Sequence, residues 1–152
     1  MALNKQKGDM YPFVTHTWNP IRGRCPHQCT YCYMKGFNVG ELRLVDKELQ
    51  TNLGSGNFIF VGSSCDMWAR EVPTDWIIPV LVRCRNFDNT YLFQSKNPER
   101  WLGWDWQSYG APIKSIWGTT IETNRDYGIS EAPTPLNRYQ ALKQAIIDRW
   151  GY

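Results

Sequence analysis

The sequence lacks any long apolar run. No stretch of its 152 residues approaches the roughly 20 apolar residues that a membrane-spanning helix needs, and the N-terminal stretch MALNKQKGDMYPF has no apolar core of signal-peptide length. We therefore expect a cytoplasmic protein without a membrane segment. Disulfides are rare in that compartment, so clustered cysteines there more often bind metals or act in redox chemistry. An odd count of five cysteines also fits a disulfide framework poorly.

The sequence also has little net charge. Lys and Arg total 17 against 14 Asp and Glu, and the resulting charge of +3 is too small to indicate nucleic-acid binding by itself. Internal repeats and low-complexity segments are absent, and the length allows one domain, residues 1–152. Aromatic residues are plentiful, with eight Trp and eight Tyr. They supply core volume and also suit a pocket that stacks flat ligands.

Apolar runs alternate with helical patterns along the chain. The continuous run NFIFVG is typical of a strand buried on both faces, as in a parallel sheet. Four such strands with helices between them predict an α/β fold, with a parallel sheet of about four βα units and helices on one side or both. The predicted strands cover residues 15–21, 57–62, 90–95 and 115–121, and a first, short helix is predicted in 30–36.

The later helices have boundary signals. One is predicted over residues 74–85, with Thr74 as its cap and an internal Pro79 that predicts a kink or a late start. Pro98 is placed to begin a short helix. The last helix has Thr134 as its cap and Pro135 as its first residue, and one apolar stripe follows its length. The stripe comprises Leu136, Tyr139, Leu142, Ile146 and Trp150.

Three cysteines fall within eight residues, in the spacing C-x3-C-x2-C. They are Cys25, Cys29 and Cys32. Thiolates on one short loop can converge on one metal centre. A four-iron cluster normally takes four cysteines, so three would leave one iron open to a substrate or cofactor.

Zinc is the other interpretation of this loop. A structural zinc site has four protein ligands, and His27 or His16 would complete a Cys3His set. Structural zinc usually gathers its ligands as two separated pairs, however, and the chain has no second CxxC. Cys65 stands alone, and Cys84 has the helical register of a core residue.

The motif and its surroundings resemble a known family. Tyr31 directly precedes Cys32, and the C-x3-C-x2-C loop is similar to the signature of radical SAM enzymes. The resemblance extends over residues 17 to 125, to a phage- and bacteria-borne group of radical SAM proteins distantly similar to spore photoproduct lyase. The segments that carry it are TWNPIRGRCPHQCTYCY, FIFVGSSCDMW, LFQSKNPERW and WGTTIETNR.

The resemblance implies a set of cofactors. Cys25, Cys29 and Cys32 would hold a 4Fe–4S cluster whose open iron is chelated by S-adenosylmethionine. With an electron from a donor such as flavodoxin or ferredoxin, S-adenosylmethionine would be cleaved to a 5′-deoxyadenosyl radical that abstracts hydrogen from a substrate. The likeness to the lyase makes nucleic acid or a nucleotide a candidate substrate. In a phage-encoded chain, the compartment would be the host cytoplasm.

Candidate cofactor residues follow the second predicted strand. The family often has a Gly-Gly-Glu-like segment there that meets the amino end of S-adenosylmethionine. This chain has Gly62, Ser63 and Ser64, with Asp66 as the nearby acid. The alternative is an ordinary strand-to-helix turn in which Asp66 is a cap.

Further candidates follow the third and fourth strands. Lys96 would neutralise the cofactor's carboxylate or a substrate phosphate, unless it is a solvated surface lysine. Strand alternation places Thr120, Glu122 and Asn124 on one face, where they would hydrogen-bond ribose hydroxyls. The alternative for Glu122 is an exposed salt bridge.

Cys65 has two interpretations. By resemblance to members of the lyase group it would donate a hydrogen atom in a radical mechanism, and otherwise it is a small buried hydrophobe. Four aromatic residues near the motifs would shield the cluster, stack on adenine or serve only as packing. They are Trp18, Tyr31, Tyr33 and Trp68.

The resemblance also implies a partial (β/α) barrel that usually has six units, whereas about four are predicted here. The missing strands would leave an unpaired edge. Three explanations stay open: a natural minimal version, a truncated product, or a homodimer or partner chain that completes the sheet. A zinc- or cluster-bearing binding module without enzymatic activity, which completes a partner protein, is the alternative function.

Overall fold

The computed structural model describes residues 3–150, without the side chain of Trp150. This part of the chain contains seven strands and two α-helices. Five of the strands form one sheet and the other two form a small ribbon. The strands are β1 (Asn4–Lys5), β2 (His16–Trp18), β3 (Ile21–Arg22), β4 (Arg43–Leu44), β5 (Phe58–Val61), β6 (Thr90–Ser95) and β7 (Ser115–Thr119).

The main sheet is mostly parallel, with the strand order β1-β2-β5-β6-β7. β2, β5, β6 and β7 run parallel and pair in that order, β2 with β5, β5 with β6 and β6 with β7, whereas β1 is antiparallel to β2. The predicted α/β class with a largely parallel sheet is confirmed. β6 covers the predicted 90–95, and β5 lies within the predicted 57–62 because its apolar side chains are covered on both faces.

One α-helix follows β5 and the other follows β7, so only two of the four parallel strands are followed by an α-helix. These helices are α1 (Thr74–Arg85) and α2 (Pro135–Trp150). The helix predicted in 30–36 is a 3₁₀ helix, Tyr33–Gly36, and two more 3₁₀ helices are Asp46–Gln50 and Pro98–Trp101. Within residues 3–150, no helix has the length and apolar character needed to cross a bilayer.

The predicted cap of α1 is wrong, whereas that of α2 is confirmed. Pro73 occupies the cap position of α1, and Thr74 is its first residue. The Thr74 hydroxyl accepts a hydrogen bond from the Arg100 guanidinium instead (3.0 Å). At α2, the Thr134 hydroxyl accepts from the backbone N–H of Asn137 at 3.3 Å, as expected of a cap.

The predicted apolar stripe of α2 is largely exposed. Leu136, Tyr139 and Ile146 are between 47% and 61% exposed. The helix packs instead through a neighbouring face that contains Arg138, Ala141 and the partly buried Leu142 and Ala145. Small alanine side chains let the helix approach the 3₁₀ helix at Pro98 closely, and Arg138 is buried because loop carbonyls accept its hydrogen bonds.

Tryptophans dominate the core beneath the strand ends. Trp68 is fully buried and makes edge-to-face contacts with Phe93, Trp101 and Trp106 at centroid distances of 5.9, 6.1 and 5.0 Å. Each such pair contributes about 0.5–1.5 kcal/mol beyond area burial. These contacts fix the backbone of Trp68, which lies two residues after Asp66. Cys84 is fully buried in the same core, as predicted.

The ribbon of β3 and β4 closes a long excursion of the chain, residues 23–42, which we call the cysteine loop. Ile21 pairs with Leu44 at its base. Gly23 begins the loop with a φ of +117°, and a Cβ atom there would lie 2.1 Å from the Glu41 carbonyl oxygen. Only glycine fits this position, because both the φ angle and the close backbone exclude a side chain.

We predict that Gly23→Ala opens the base of the cysteine loop. The strain at positive φ and the clash with Glu41 should lower the free energy of unfolding by more than about 2 kcal/mol. Gly36→Ala is the matched control, since no neighbouring atom lies within 4 Å of a Cβ built there. It should change stability by less than about 0.5 kcal/mol. Urea denaturation measures both, and equal losses would contradict the close approach.

Candidate metal centre

The carboxyl ends of the four parallel strands meet along one edge of the sheet. Ligand sites in open parallel sheets form at this edge, where loops leave the strands. The cysteine loop is attached here, because Tyr33 donates a hydrogen bond to the carbonyl of Ser63, directly after β5 (2.9 Å). Two backbone hydrogen bonds of 2.8 Å join it to the segment that follows β7: Thr30 donates to Ile129, and Glu131 donates to His27.

The side chain of Asp66 joins the cysteine loop to β5 and β6. Its Oδ2 accepts hydrogen bonds from His27 Nε2 at 2.8 Å, from the Ser95 hydroxyl at 2.9 Å and from the backbone N–H of Lys96 at 2.8 Å. Its Oδ1 accepts from the backbone N–H of Trp68 at 2.9 Å. Asp66 therefore caps its own turn, as the alternative interpretation expected, and it also anchors the loop.

The side chains of Asp66 and His27 form a buried hydrogen-bonded pair. Burial alone would lower the pKa of His27, but the hydrogen bond and charge of Asp66 outweigh it, so the pKa of His27 is raised. Burial alone would raise the pKa of Asp66, yet its hydrogen bond to His27 lowers that pKa overall. With four donors on its two oxygens, this carboxylate positions neighbouring groups and has little capacity for another donor.

The sulfur of Cys25 accepts three hydrogen bonds. They come from the Cys65 thiol and from the backbone N–H groups of Asp66 and His27. The bond from Cys65 has the largest effect and lowers the pKa of Cys25 to about 6, although burial opposes it. The same bond, together with burial, raises the pKa of Cys65 far above that of an ordinary thiol. The lowered pKa favours the thiolate of Cys25, which is the form of cysteine that binds metals.

The other two loop cysteines differ in burial. Cys29 is buried, and burial raises its pKa while the charge of Lys96 opposes that rise. Cys32 is half-buried, and all five cysteines are free thiols. Among residues 3–150, no three His, Cys, Asp or Glu side chains form a group that could hold one metal ion. That finding applies to a single metal ion, whose ligands all converge on one point. In an iron–sulfur cluster each thiolate binds a different iron atom.

The donor set fits an iron–sulfur cluster chemically. Three cysteines lie on one loop, and the pKa of Cys25 is lowered, which favours its thiolate. Hydrogen bonds to cysteine sulfur are among the features that set the properties of protein-bound clusters. Cys25 receives such bonds from two backbone N–H groups and from the buried thiol of Cys65.

Lys96 and Glu122 lie together at the carboxyl ends of β6 and β7. Lys96 Nζ is 3.6 Å from Glu122 Oε1 and 5.4 Å from the ring centroid of Tyr31. Arg138 Nη1 contacts the other carboxylate oxygen at 3.2 Å. The side chains of Lys96 and Glu122 are only 19% and 15% exposed. Glu122 as a whole residue is exposed, because its backbone is open to solvent. Lys96 is thus not a solvated surface lysine, and Glu122 takes part in salt bridges.

The predicted alternation of Thr120, Glu122 and Asn124 on one strand face is wrong. β7 ends at Thr119, and Glu122 has a φ of +67°, outside any strand conformation. Thr120 still reaches the strand ends, because its hydroxyl accepts a hydrogen bond from Gln94 Nε2 at 2.8 Å. Asn124 is exposed in the loop that follows.

The turn after β5 is tight and consists of small residues. Gly62 has a φ of +80°, and a Cβ there would lie 3.1 Å from the carbonyl oxygen of Cys65. Asn19 fixes the turn from the end of β2, since its Oδ1 accepts from the Ser63 hydroxyl at 3.2 Å and from the backbone N–H of Ser64 at 2.9 Å. Backbone groups of this turn can therefore approach a ligand closely.

Sequence reasoning missed two residues of the site and undervalued a third. Asn19 and Arg138 were not candidates, and His27 was only a weak one. Arg138 is almost fully buried and donates to the carbonyls of Thr120 and Pro133. The signal for Asn19 is its place directly after a strand, whereas nothing in the helical pattern distinguishes Arg138.

The four aromatic candidates separate into two groups. Trp18 and Trp68 are buried in the core. Tyr31 and Tyr33 are 51% and 64% exposed on the cysteine loop, where a ligand can reach them. His16 lies on β2, hydrogen-bonded to its neighbour Thr15.

Comparison with known proteins leaves the family open. No family model, no curated protein and no solved structure matches this chain. The case for a function therefore depends on the chemistry of the residues gathered at the strand ends.

We predict that Cys65 controls the ionisation of Cys25 in the metal-free protein. Cys65→Val removes the S–H donor and should move the pKa of Cys25 up toward about 8.5. Cys65→Ser keeps a hydroxyl donor and should hold the pKa of Cys25 near 6. In that variant Cys25 should react quickly with iodoacetamide above this pH and slowly below it. The pH profile of Cys25 alkylation by iodoacetamide, followed by peptide mass spectrometry, measures this. Identical profiles for the two variants would contradict the hydrogen bond.

Proposed function

We propose that this chain is a radical SAM enzyme. Cys25, Cys29 and Cys32 would hold a 4Fe–4S cluster. The observation that carries the proposal is the placement of these cysteines on one loop, which Asp66 anchors at the carboxyl ends of parallel strands. The lowered pKa of Cys25 supports it. A donor such as flavodoxin or ferredoxin would provide an electron. The chemistry that the bound cofactors would supply is the reductive cleavage of S-adenosylmethionine to a 5′-deoxyadenosyl radical, which would abstract hydrogen from a substrate.

We further propose that the sheet is part of a (β/α) barrel. The parallel strands β2, β5, β6 and β7 pair in their order along the chain, as the strands of a (β/α) barrel do. The candidate centre lies at the carboxyl ends of these strands, the side where ligands bind in such folds. The sequential order and the position of the centre both support this assignment.

The turn after β5 is the proposed contact for the amino end of S-adenosylmethionine. Gly62, Ser63 and Ser64 offer backbone groups and hydroxyls in a turn that Asn19 holds in place. Tyr33 also contacts this turn, at the carbonyl of Ser63. Asp66 contributes indirectly, because its own oxygens are occupied. Its part is to hold His27, and through it the loop, at a fixed distance from this turn.

Lys96 is the proposed partner of the cofactor's carboxylate. Its ammonium group now contacts Glu122 and the face of Tyr31, so a bound carboxylate would share or replace Glu122 as its counter-ion. Thr120, Glu122 and Asn124 are proposed to meet the ribose hydroxyls. Of these, Glu122 is the best placed, since Arg138 fixes its carboxylate beside Lys96.

We predict that anaerobic reconstitution with iron and sulfide yields a brown protein with about four irons and absorbance near about 400 nm. Addition of S-adenosylmethionine and dithionite should then release 5′-deoxyadenosine. Cys29→Ala should lose both the cluster and the product, because a loop thiolate is missing. Cys84→Ala, which removes a core thiol outside the loop, should retain the cluster. A colourless protein that retains one zinc ion would support the non-enzymatic binding module instead.

A further inference from the structure

The net positive charge of the protein lies in one segment. Residues 22–43 contain four basic residues and one acidic residue, so their charge of +3 equals that of the whole chain, and the remainder has thirteen of each sign. Arg22 is paired with Glu48. Arg24, Lys35 and Arg43 are exposed, and no carboxylate in the described part of the chain lies within 4 Å of their charged groups.

Large aromatic side chains are exposed on the same segment. Tyr31, Tyr33 and Phe37 are 51%, 64% and 62% exposed, although they lie within seven residues of one another. The rings of the two tyrosines are held in place. The Tyr33 hydroxyl donates to the carbonyl of Ser63 at 2.9 Å, and the ammonium group of Lys96 lies over the ring of Tyr31. These rings contribute little to the core and are more than half exposed, with Lys96 over one face of Tyr31.

We call these six residues the loop surface: Arg24, Tyr31, Tyr33, Lys35, Phe37 and Arg43. Exposed rings interspersed with basic groups that lack a carboxylate partner are the features with which proteins bind single-stranded nucleic acid, since bases stack on the rings and phosphates approach the charges. Arg43 also donates to the carbonyls of Val39 and Glu41, which leaves its charge without a counter-ion. An anionic membrane also attracts basic and aromatic residues, but usually through an amphipathic helix with an insertable apolar face. The loop surface has only a four-residue 3₁₀ helix, and the hydroxyl of Tyr33 is bonded to backbone.

We propose that the loop surface binds single-stranded nucleic acid beside the cysteines. That single-stranded nucleic acid is the substrate of the enzyme rests on the proposed function. The binding of nucleic acid to the loop surface does not. Three rings on one loop fit a contact with a few successive bases. The strand would then pass directly over the candidate centre, because Tyr31 and Tyr33 flank Cys32 in the sequence and Tyr33 also contacts the turn after β5.

The test is fluorescence anisotropy with a labelled oligothymidylate of about 12 nucleotides, a length within the usual range of such sites. The full chain is used both metal-free and after cluster reconstitution. Phe37→Ala should weaken binding about tenfold, because one stacking face is lost. Phe13→Ala is the matched control, an exposed phenylalanine outside the cysteine loop, and it should bind as the unaltered protein does.

A second pair of variants tests the charge. Lys35→Gln should lower the slope of log affinity against log salt by about 0.7, the value for one phosphate contact with a single strand. Lys114→Gln should leave the slope unchanged, since Lys114 lies outside the loop and is paired with Asp88. All four side chains are exposed or paired at the surface, so loss of binding will not be a consequence of unfolding, and circular dichroism verifies this.

Each outcome decides the proposal. Oligonucleotide binding that Phe37→Ala weakens and whose salt dependence Lys35→Gln lowers supports the proposal. If such a protein never forms 5′-deoxyadenosine, only the proposed function fails. A protein that cleaves S-adenosylmethionine but does not bind the oligonucleotide at low salt overturns the inference and leaves the proposed function intact. Equal effects of Phe37→Ala and Phe13→Ala overturn it too. Binding to phosphatidylserine vesicles without binding to the oligonucleotide identifies a membrane contact instead.

Discussion

The buried carboxylate of Asp66 is the contact on which the arrangement of this site depends. It accepts hydrogen bonds from the cysteine loop, from the end of β6 and from its own turn after β5. Separating His27 from Asp66 would remove one hydrogen-bond donor from a buried carboxylate, at a cost of about 1.5–3 kcal/mol. A loop of twenty residues with little core of its own is thereby held in one place on the sheet.

The same contact prepares the thiolate. Asp66 and His27 also provide two of the three hydrogen-bond donors to the sulfur of Cys25 through their backbone N–H groups. Their side chains fix the backbone that carries those donors, so the loop cannot dock without bringing the donors to Cys25. Cys65, adjacent to Asp66, supplies the third. Anchoring of the loop and ionisation of its first cysteine are therefore consequences of one local geometry.

Local patterns were sufficient to predict the limits of some strands and helices, and insufficient for the others and for the site. β6 and α1 have the predicted limits, since a continuous apolar run and a helical segment specify them locally. The exposed stripe of α2 shows that periodicity alone does not reveal which face finds a partner. The hydrogen-bonded pair of His27 and Asp66 joins residues 39 positions apart, so no local pattern contains it. Arg138 was missed for a similar reason, because two of its acceptors, Thr120 and Glu122, lie 18 and 16 positions before it.

Hydrogen–deuterium exchange of Asp66→Asn tests the central claim most directly, with Asp88→Asn as the control because Asp88 forms only a surface salt bridge. The backbone amides of Thr30 and Glu131 report on the docked loop, since their hydrogen bonds join it to the segment after β7. If Asp66 anchors the loop, these amides should lose protection in Asp66→Asn while those of β6 stay protected, and Asp88→Asn should leave both unchanged. Undiminished protection of Thr30 and Glu131 in Asp66→Asn would contradict the account.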